Sequence, residues 1–146
     1  MDSVWPSGAP EVGGTAQRSR RVEAADIERF TAISGDRNPL HYDPEVAAAT
    51  PFGGIVVQGG VTSAILNALV AEDLPGPGTV FLQLDLRFLA PVRPGDTITG
   101  AATVTGVRED KPICELDVSV SRDDGTRVVE GHAVTYTFPL PGESAP

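Results

Sequence analysis

The sequence is poor in the residues that build covalent or metal-held structure. It has one cysteine and two histidines in 146 residues. One cysteine excludes an internal disulfide, and one cysteine with two histidines cannot assemble a zinc site without several carboxylates. Positive charge is also scarce, with 11 Lys and Arg against 20 Asp and Glu for a formal net charge of -9. A nucleic-acid binder needs a basic footprint, and this chain has the opposite balance. No basic amphipathic helix of the kind that lies on a bilayer can be found. No apolar run approaches membrane-spanning length, and the opening Met1-Asp2-Ser3-Val4-Trp5-Pro6 lacks the basic and apolar parts of a secretory signal. The cytoplasm is the expected compartment. What remains is enough for one globular domain, with 40% hydrophobic and 21% charged residues. Sixteen glycines and 13 prolines give turns and loops an unusual share.

Residues 1–17 mix Gly, Pro, Ser and Ala without a period and read as a flexible leader, with Trp5 as the residue that could dock. Residues 139–146 read as a similar tail. Between them, 18–138 form a single domain. Ile27, Phe30 and Ile33 fall at helical spacing over 23–34, acidic residues come early, and Gly35 stops the run. Three prolines within 36–58 argue against long regular structure there, although Asp43-Pro44 is a good start for a short helix at 45–49. Gly59-Gly60 opens a second helix, apolar on most sides and therefore buried, which ends near Glu72 before Pro75-Gly76-Pro77-Gly78.

The rest reads as strands. Over 79–90, Val80, Leu82, Leu84, Leu86 and Phe88 alternate with Phe81, Gln83, Asp85 and Arg87. Further strands follow at 97–107, 113–121 and 127–138, the last two joined by the hairpin signal Asp123-Asp124-Gly125. The order is helix, loop, buried helix, then four antiparallel strands. Wrapping a curved antiparallel sheet around the apolar helix satisfies both, so the class is α+β.

Two segments could carry chemistry. In Ser34-Gly35-Asp36-Arg37-Asn38-Pro39-Leu40-His41-Tyr42-Asp43, Pro39 removes a donor and pushes Asn38 into an extended conformation, so the segment reads as loop. Such a loop can aim Asp36, Asn38 and His41 at one space, where a carboxylate and an imidazole sharing one water can divide acid and base roles. As turn chemistry alone, the same residues need no ligand. The second segment is Val57-Gln58-Gly59-Gly60, where free amides at a helix N-terminus could meet a carbonyl oxygen. It too can be a plain glycine turn.

Taken in order, Gly35-Asp36-Arg37-Asn38-Pro39-Leu40-His41, the Gly-containing helix start, Arg87-Phe88 and Pro91-Val92-Arg93-Pro94-Gly95-Asp96 resemble the MaoC-like hydratase family. Within it the chain is most similar to (R)-specific 2-enoyl-CoA hydratases, and Arg108-Glu109-Asp110-Lys111-Pro112-Ile113 resembles that subgroup too. The resemblance covers roughly residues 18–138. It implies a hot-dog fold, usually paired as a homodimer, that adds water to trans-2-enoyl thioesters of coenzyme A or an acyl carrier protein. It implies Asp36 and His41 as catalytic residues, Asn38 in support, and the Gly59 N–H at the thioester oxygen. No metal or redox cofactor is called for. Gln58 departs from the family, which commonly has His before that glycine. Gln can hydrogen-bond but cannot carry a proton at neutral pH.

Gln58, Gly60, Ser63 and Asn67 on the second helix, with Arg87 and Arg93, are the candidate substrate-binding residues. In the resembling family the Asn67 region lines the acyl pocket, and the arginines, Arg37 included, are candidate contacts for coenzyme A phosphates. His132 reads as an exposed strand histidine and Cys114 as a buried thiol in register with Leu116, Val118 and Val120. A hot-dog thioesterase and a non-catalytic acyl-thioester-binding module are the other classes that would share the fold.

Overall fold

The computed structural model describes residues 4–141. The chain runs β1 (Thr15–Arg21), α1 (Ala24–Ser34), α2 (Pro39–Tyr42), α3 (Pro44–Ala48) and α4 (Gly59–Ala68). A π-helical turn at Leu69–Asp73 prolongs α4, and then come β2 (Thr79–Phe88), β3 (Thr97–Val107), β4 (Ile113–Arg122) and β5 (Arg127–Thr137). The five strands form one antiparallel sheet in the order β1-β3-β4-β5-β2.

Strict alternation makes β3 and β4 the floor of the core. Ile98, Ala102 and Val104 point inward from β3, as do Cys114, Leu116, Val118 and Val120 from β4. Helix α4 lies on that floor and buries Val61, Ile65 and Leu66 against it, continued by Leu69 and Val70. At Gly100 a Cβ would stand 3.0 Å from Ile65 Cγ2, so a side chain there would press on the helix. A helix wrapped by an antiparallel sheet is the hot-dog arrangement that the resemblance implies.

Several local expectations need correction. No strand was expected before α1, yet β1 pairs with β3 from Thr15↔Thr103 to Arg21↔Thr97. The supposed leader therefore enters the sheet from Thr15 onward. Trp5 is buried, and its Nε1–H donates to the Arg108 carbonyl at 3.0 Å. The supposed tail at 139–146 lies mostly outside the described residues. Ile33 is exposed, so the buried stripe of α1 is Ile27 with Thr31 and part of Phe30. On α4, Ala64 and Asn67 are open to solvent, so the helix is buried on one side and not all round. In β2 a bulge between Phe81 and Gln83 splits the apolar row. Before it Phe81 packs on the core beside Thr79, and after it Leu86 does, while Leu84 and Phe88 on the same face as Leu86 stay exposed and Val80 lies on the outer face opposite Tyr136.

Other elements follow their local chemistry. Gly35 ends α1 at φ 77°, the left-handed conformation glycine tolerates best, with its N–H on the Thr31 carbonyl. At the start of α1 the Glu23 N–H donates to Asp26 Oδ2 at 2.8 Å, and Arg20 of β1 reaches the same oxygen at 2.7 Å. Arg29 holds the other oxygen at 2.8 Å. Burial alone would raise the Asp26 carboxyl, but the Glu23 amide and the two guanidinium groups hold it below the ordinary carboxylate value.

Candidate active site

Asn38 sets the geometry of the site. Its extended backbone, φ -53° and ψ 131°, is the conformation that a following proline favours, and its side-chain oxygen accepts the Leu40 N–H at 3.1 Å. It thereby caps a single helical turn, α2, with Pro39 in the first position. The segment expected to be loop throughout is thus one turn of helix, because the cap and Pro39 together favour that turn. The turn carries His41 on its second half. The Asn38 N–H donates back to Asp36 Oδ1 at 3.0 Å and fixes the carboxylate just ahead of the turn.

Asp36 Oδ2 then lies 3.5 Å from His41 Nε2. The other ring nitrogen, Nδ1, lies 2.7 Å from the Val56 carbonyl oxygen. A carbonyl can only accept, so Nδ1 carries the proton in this contact and Nε2 is the nitrogen free to exchange one. The His41 side chain is only 9% exposed, against 37% for that of Asp36. The imidazole is therefore enclosed on one side and open toward the carboxylate.

A hydroxyl that the sequence did not single out ties this turn to the core. Thr31, buried on α1, donates to the Asp36 carbonyl at 2.8 Å. The same oxygen accepts from Gln58 Nε2 at 3.2 Å and contacts the Tyr42 hydroxyl at short range. With its own proton committed to Asp36, Thr31 accepts from both partners, and all three of its hydrogen-bonding capacities are in use. Contacts spanning 5, 11 and 27 residues leave no periodic trace in a sequence. The Tyr42 ring also lies beneath the Arg37 guanidinium, 5.8 Å from centroid to carbon.

His41 and Asn38 open onto a cleft of about 360 Å³. Its floor is Gly59 and Thr62 of α4, and Leu40, Phe52, Phe88 and Leu89 supply apolar walls. Asp36 is not among the lining residues and meets the cleft through His41. Gly59 is the first residue of α4, and its N–H is one of the four that a helix leaves without an intrahelical partner. Gly59 lines the same cleft as the imidazole, at the positive end of the helix dipole.

The remaining candidates do not gather there. Gln58 is 1% exposed and turns inward, donating to the Ile27 carbonyl at 3.1 Å as well as to Thr31. It braces α1 and has no surface to offer a ligand. Gly60 is small because the Phe30 ring lies on it, 2.0 Å from where a Cβ would be. Ser63 points its hydroxyl at the Gly60 carbonyl, 3.5 Å away, and Asn67 stands exposed on the open side of α4. Neither lines the cleft. Arg87 pairs with Glu130, its cross-strand neighbour on β5. Arg93 is turned onto the Phe52 and Ile55 carbonyls and braces the loop before α4. His132 lies on the sheet between Asp117 at 3.3 Å and Glu115 at 3.6 Å, away from the cleft. Cys114 is buried, and burial pushes its thiol up to about 11, so it stays protonated.

Known proteins share this fold. An (R)-specific enoyl-CoA hydratase of Aeromonas caviae is 41% identical over 124 residues, covering 85% of this chain and 92% of that one. The solved structure of an A. caviae (R)-hydratase involved in PHA biosynthesis superposes with a TM-score of 0.84 at 40% identity, over 88% of this chain and 98% of its own. An unliganded R-hydratase of Pseudomonas aeruginosa gives a TM-score of 0.83 at 31% identity, over 99% and 97%. The MaoC like domain family matches residues 8–125, a span holding the α2 turn, the start of α4 and four of the five strands, and the chain belongs to that family.

Proposed function

We propose that the protein catalyses the reversible hydration of trans-2-enoyl-CoA to (R)-3-hydroxyacyl-CoA. The observation that carries the reading is the Asp36–His41 pair, 3.5 Å apart, with its imidazole in the same cleft as the Gly59 N–H. A water against both side chains gives up one proton to the Asp36 carboxylate as its oxygen bonds to the β-carbon. The C=C electron pair moves toward the thioester, and negative charge grows on the thioester oxygen. The Gly59 amide meets that charge, a contribution worth several kcal/mol at sites of this kind. The proton taken up by Asp36 passes to His41 Nε2, which bears none in the resting tautomer, and from there to the α-carbon, which completes the addition of H2O and returns both groups to their starting forms.

Asn38 acts in this scheme by holding Asp36 and starting the turn that presents His41. Substrate recognition rests on the apolar walls and the Gly59 amide. Gln58, Gly60 and Arg93 act on the frame around the cleft, while Ser63, Asn67 and Arg87 do not reach it.

The working unit is a homodimer. β2 is an edge of the sheet, and it leaves Val80, Leu82 and Leu84 exposed in a single chain. A second copy pairing along this edge would cover these side chains, whereas an uncovered apolar edge invites non-specific pairing. Sedimentation is expected to give twice the chain mass, and a stable monomer would overturn this part.

The test of the function is to follow loss of the enoyl chromophore across crotonyl-, hexenoyl- and octenoyl-CoA and to resolve the product enantiomers. Conversion to the (R)-3-hydroxyacyl-CoA is expected with at least one. Thiol release from saturated acyl-CoA would indicate a thioesterase. Binding without turnover of any of the three would indicate a carrier-binding module.

A further inference from the structure

Thr62 is buried, 4% exposed, and lies on the cleft floor three residues beyond Gly59. A threonine inside a helix ordinarily returns its hydroxyl to a carbonyl one turn back. Thr62 does not, and its hydroxyl makes no hydrogen bond to any described residue. Nor is that oxygen sealed in the core. Among the described residues the only enclosed side-chain N or O without a partner is Gln58 Oε1. The accessible part of Thr62 therefore opens into the cleft it lines, carrying one O–H donor with nothing to give it to.

Its direction follows from helix geometry. Residues three apart share a face, and every Cα–Cβ bond tilts toward the helix N-terminus. The Thr62 side chain thus leans back over the first turn of α4, toward the end where the Gly59 N–H emerges. A backbone donor and a hydroxyl donor therefore border the same cleft.

We infer that Thr62 is a further catalytic residue, whose hydroxyl donates to the thioester oxygen beside the Gly59 N–H as charge builds there. This deepens the hydratase reading and rests on it. A second donor matters because each one aimed at a developing oxyanion lowers the barrier more than it strengthens ground-state binding. Its loss therefore appears in kcat more than in KM.

The experiment measures kcat and KM for crotonyl-CoA, together with melting temperatures, in the wild type, Thr62→Val, Thr62→Ala and Thr62→Ser. Val keeps the shape without the hydroxyl, Ala removes both, and Ser restores the hydroxyl without the methyl. Val and Ala are expected to lower kcat about 10- to 100-fold with KM within about threefold, and Ser to stay within about threefold of the wild type. An active wild type with Val or Ala within threefold in kcat overturns the role of Thr62 alone. So does a Ser variant as slow as Ala, which would make the methyl and not the hydroxyl responsible. If Val fails to fold, the ratio of Ser to Ala decides by the same limits. A wild type that hydrates no enoyl-CoA overturns the functional reading, and the role of Thr62 with it.

Discussion

His41 Nδ1 lies 2.7 Å from the carbonyl oxygen of Val56, a residue 15 positions along the chain in the strap that leads into α4. That one contact selects the tautomer. With the proton held on Nδ1, the exchangeable position is Nε2, which faces Asp36 Oδ2 at 3.5 Å. Neutral imidazole and ionised carboxylate would then present two acceptors to one another, an arrangement that a water or a shared proton resolves.

The first prediction follows from a water shared by the two side chains. Asp36→Asn and His41→Ala should each lower hydration by at least about 10³-fold, and the double variant should be hardly worse than either single one. The measurement is kcat/KM for one enoyl-CoA across the cycle, with melting curves to confirm folding. Losses that multiply in the double variant would mean the two side chains act separately.

Thr31 supplies the second prediction. Thr31→Val removes the hydroxyl that holds the Asp36 carbonyl and strands the Tyr42 hydroxyl and one Gln58 bond. Leaving buried polar groups unpaired costs about 1–3 kcal/mol, so unfolding in urea should show a loss of that order. Because Asp36 is then held less firmly, kcat should fall more than KM rises, and Thr31→Ser should recover most of both. Unchanged kcat in a destabilised Thr31→Val would confine this residue to the frame.

Much of this was legible from residue patterns. The period-2 rows of β3 and β4, the left-handed stop at Gly35 and the Asp43-Pro44 start of α3 follow from local chemistry that acts over a few residues. The Asp36–Asn38–His41 segment, by contrast, reads as loop in sequence, and the single helical turn that Pro39 and the Asn38 cap begin is missed there. What could not be read depends on partners far along the chain. β1, Thr-Ala-Gln-Arg-Ser-Arg-Arg, carries almost no apolar alternation, because an edge strand can pair through its backbone alone. The bulge at Leu82 reverses which β2 residues face inward, and an unbroken apolar row gives no sign of it. Arg87 and Arg93 look like free cations in sequence until Glu130 and the Phe52 carbonyl come alongside.

The third prediction concerns Asp26, which bridges β1 and α1. Its carboxyl is held below the ordinary value in the fold, so its stabilisation is fully present above the unfolded value near 3.9. It is lost as pH falls through the lower folded value. Arg20 and Arg29 keep much of their exposure, which limits what the ion pairs contribute beyond the Glu23 amide bond. Asp26→Asn should therefore cost about 1–2 kcal/mol at pH 7 by urea unfolding. The gap between variant and wild type should narrow steadily as pH is lowered below about 4. A gap independent of pH would mean that the ionised form contributes nothing.

The last prediction turns on Gln58, which stands where the resembling family commonly has His. Its amide donates to the Ile27 carbonyl and to Thr31, both on α1, while its own oxygen is enclosed without a partner. A side chain so placed braces the helix behind the turn and presents no charge to the cleft. An imidazole fits the same role less completely, since a neutral ring has one N–H to give and two acceptors wait for it. Gln58→His should therefore alter hydration of crotonyl-CoA by less than about tenfold, about 1.4 kcal/mol of barrier. Stability should fall by about 1–2 kcal/mol as one acceptor loses its partner. Steady-state kinetics and urea unfolding of the same preparation read both. A gain of several orders of magnitude in rate would place this side chain in the chemistry, and would mark the Gln58 protein as one that binds enoyl thioesters without turning them over.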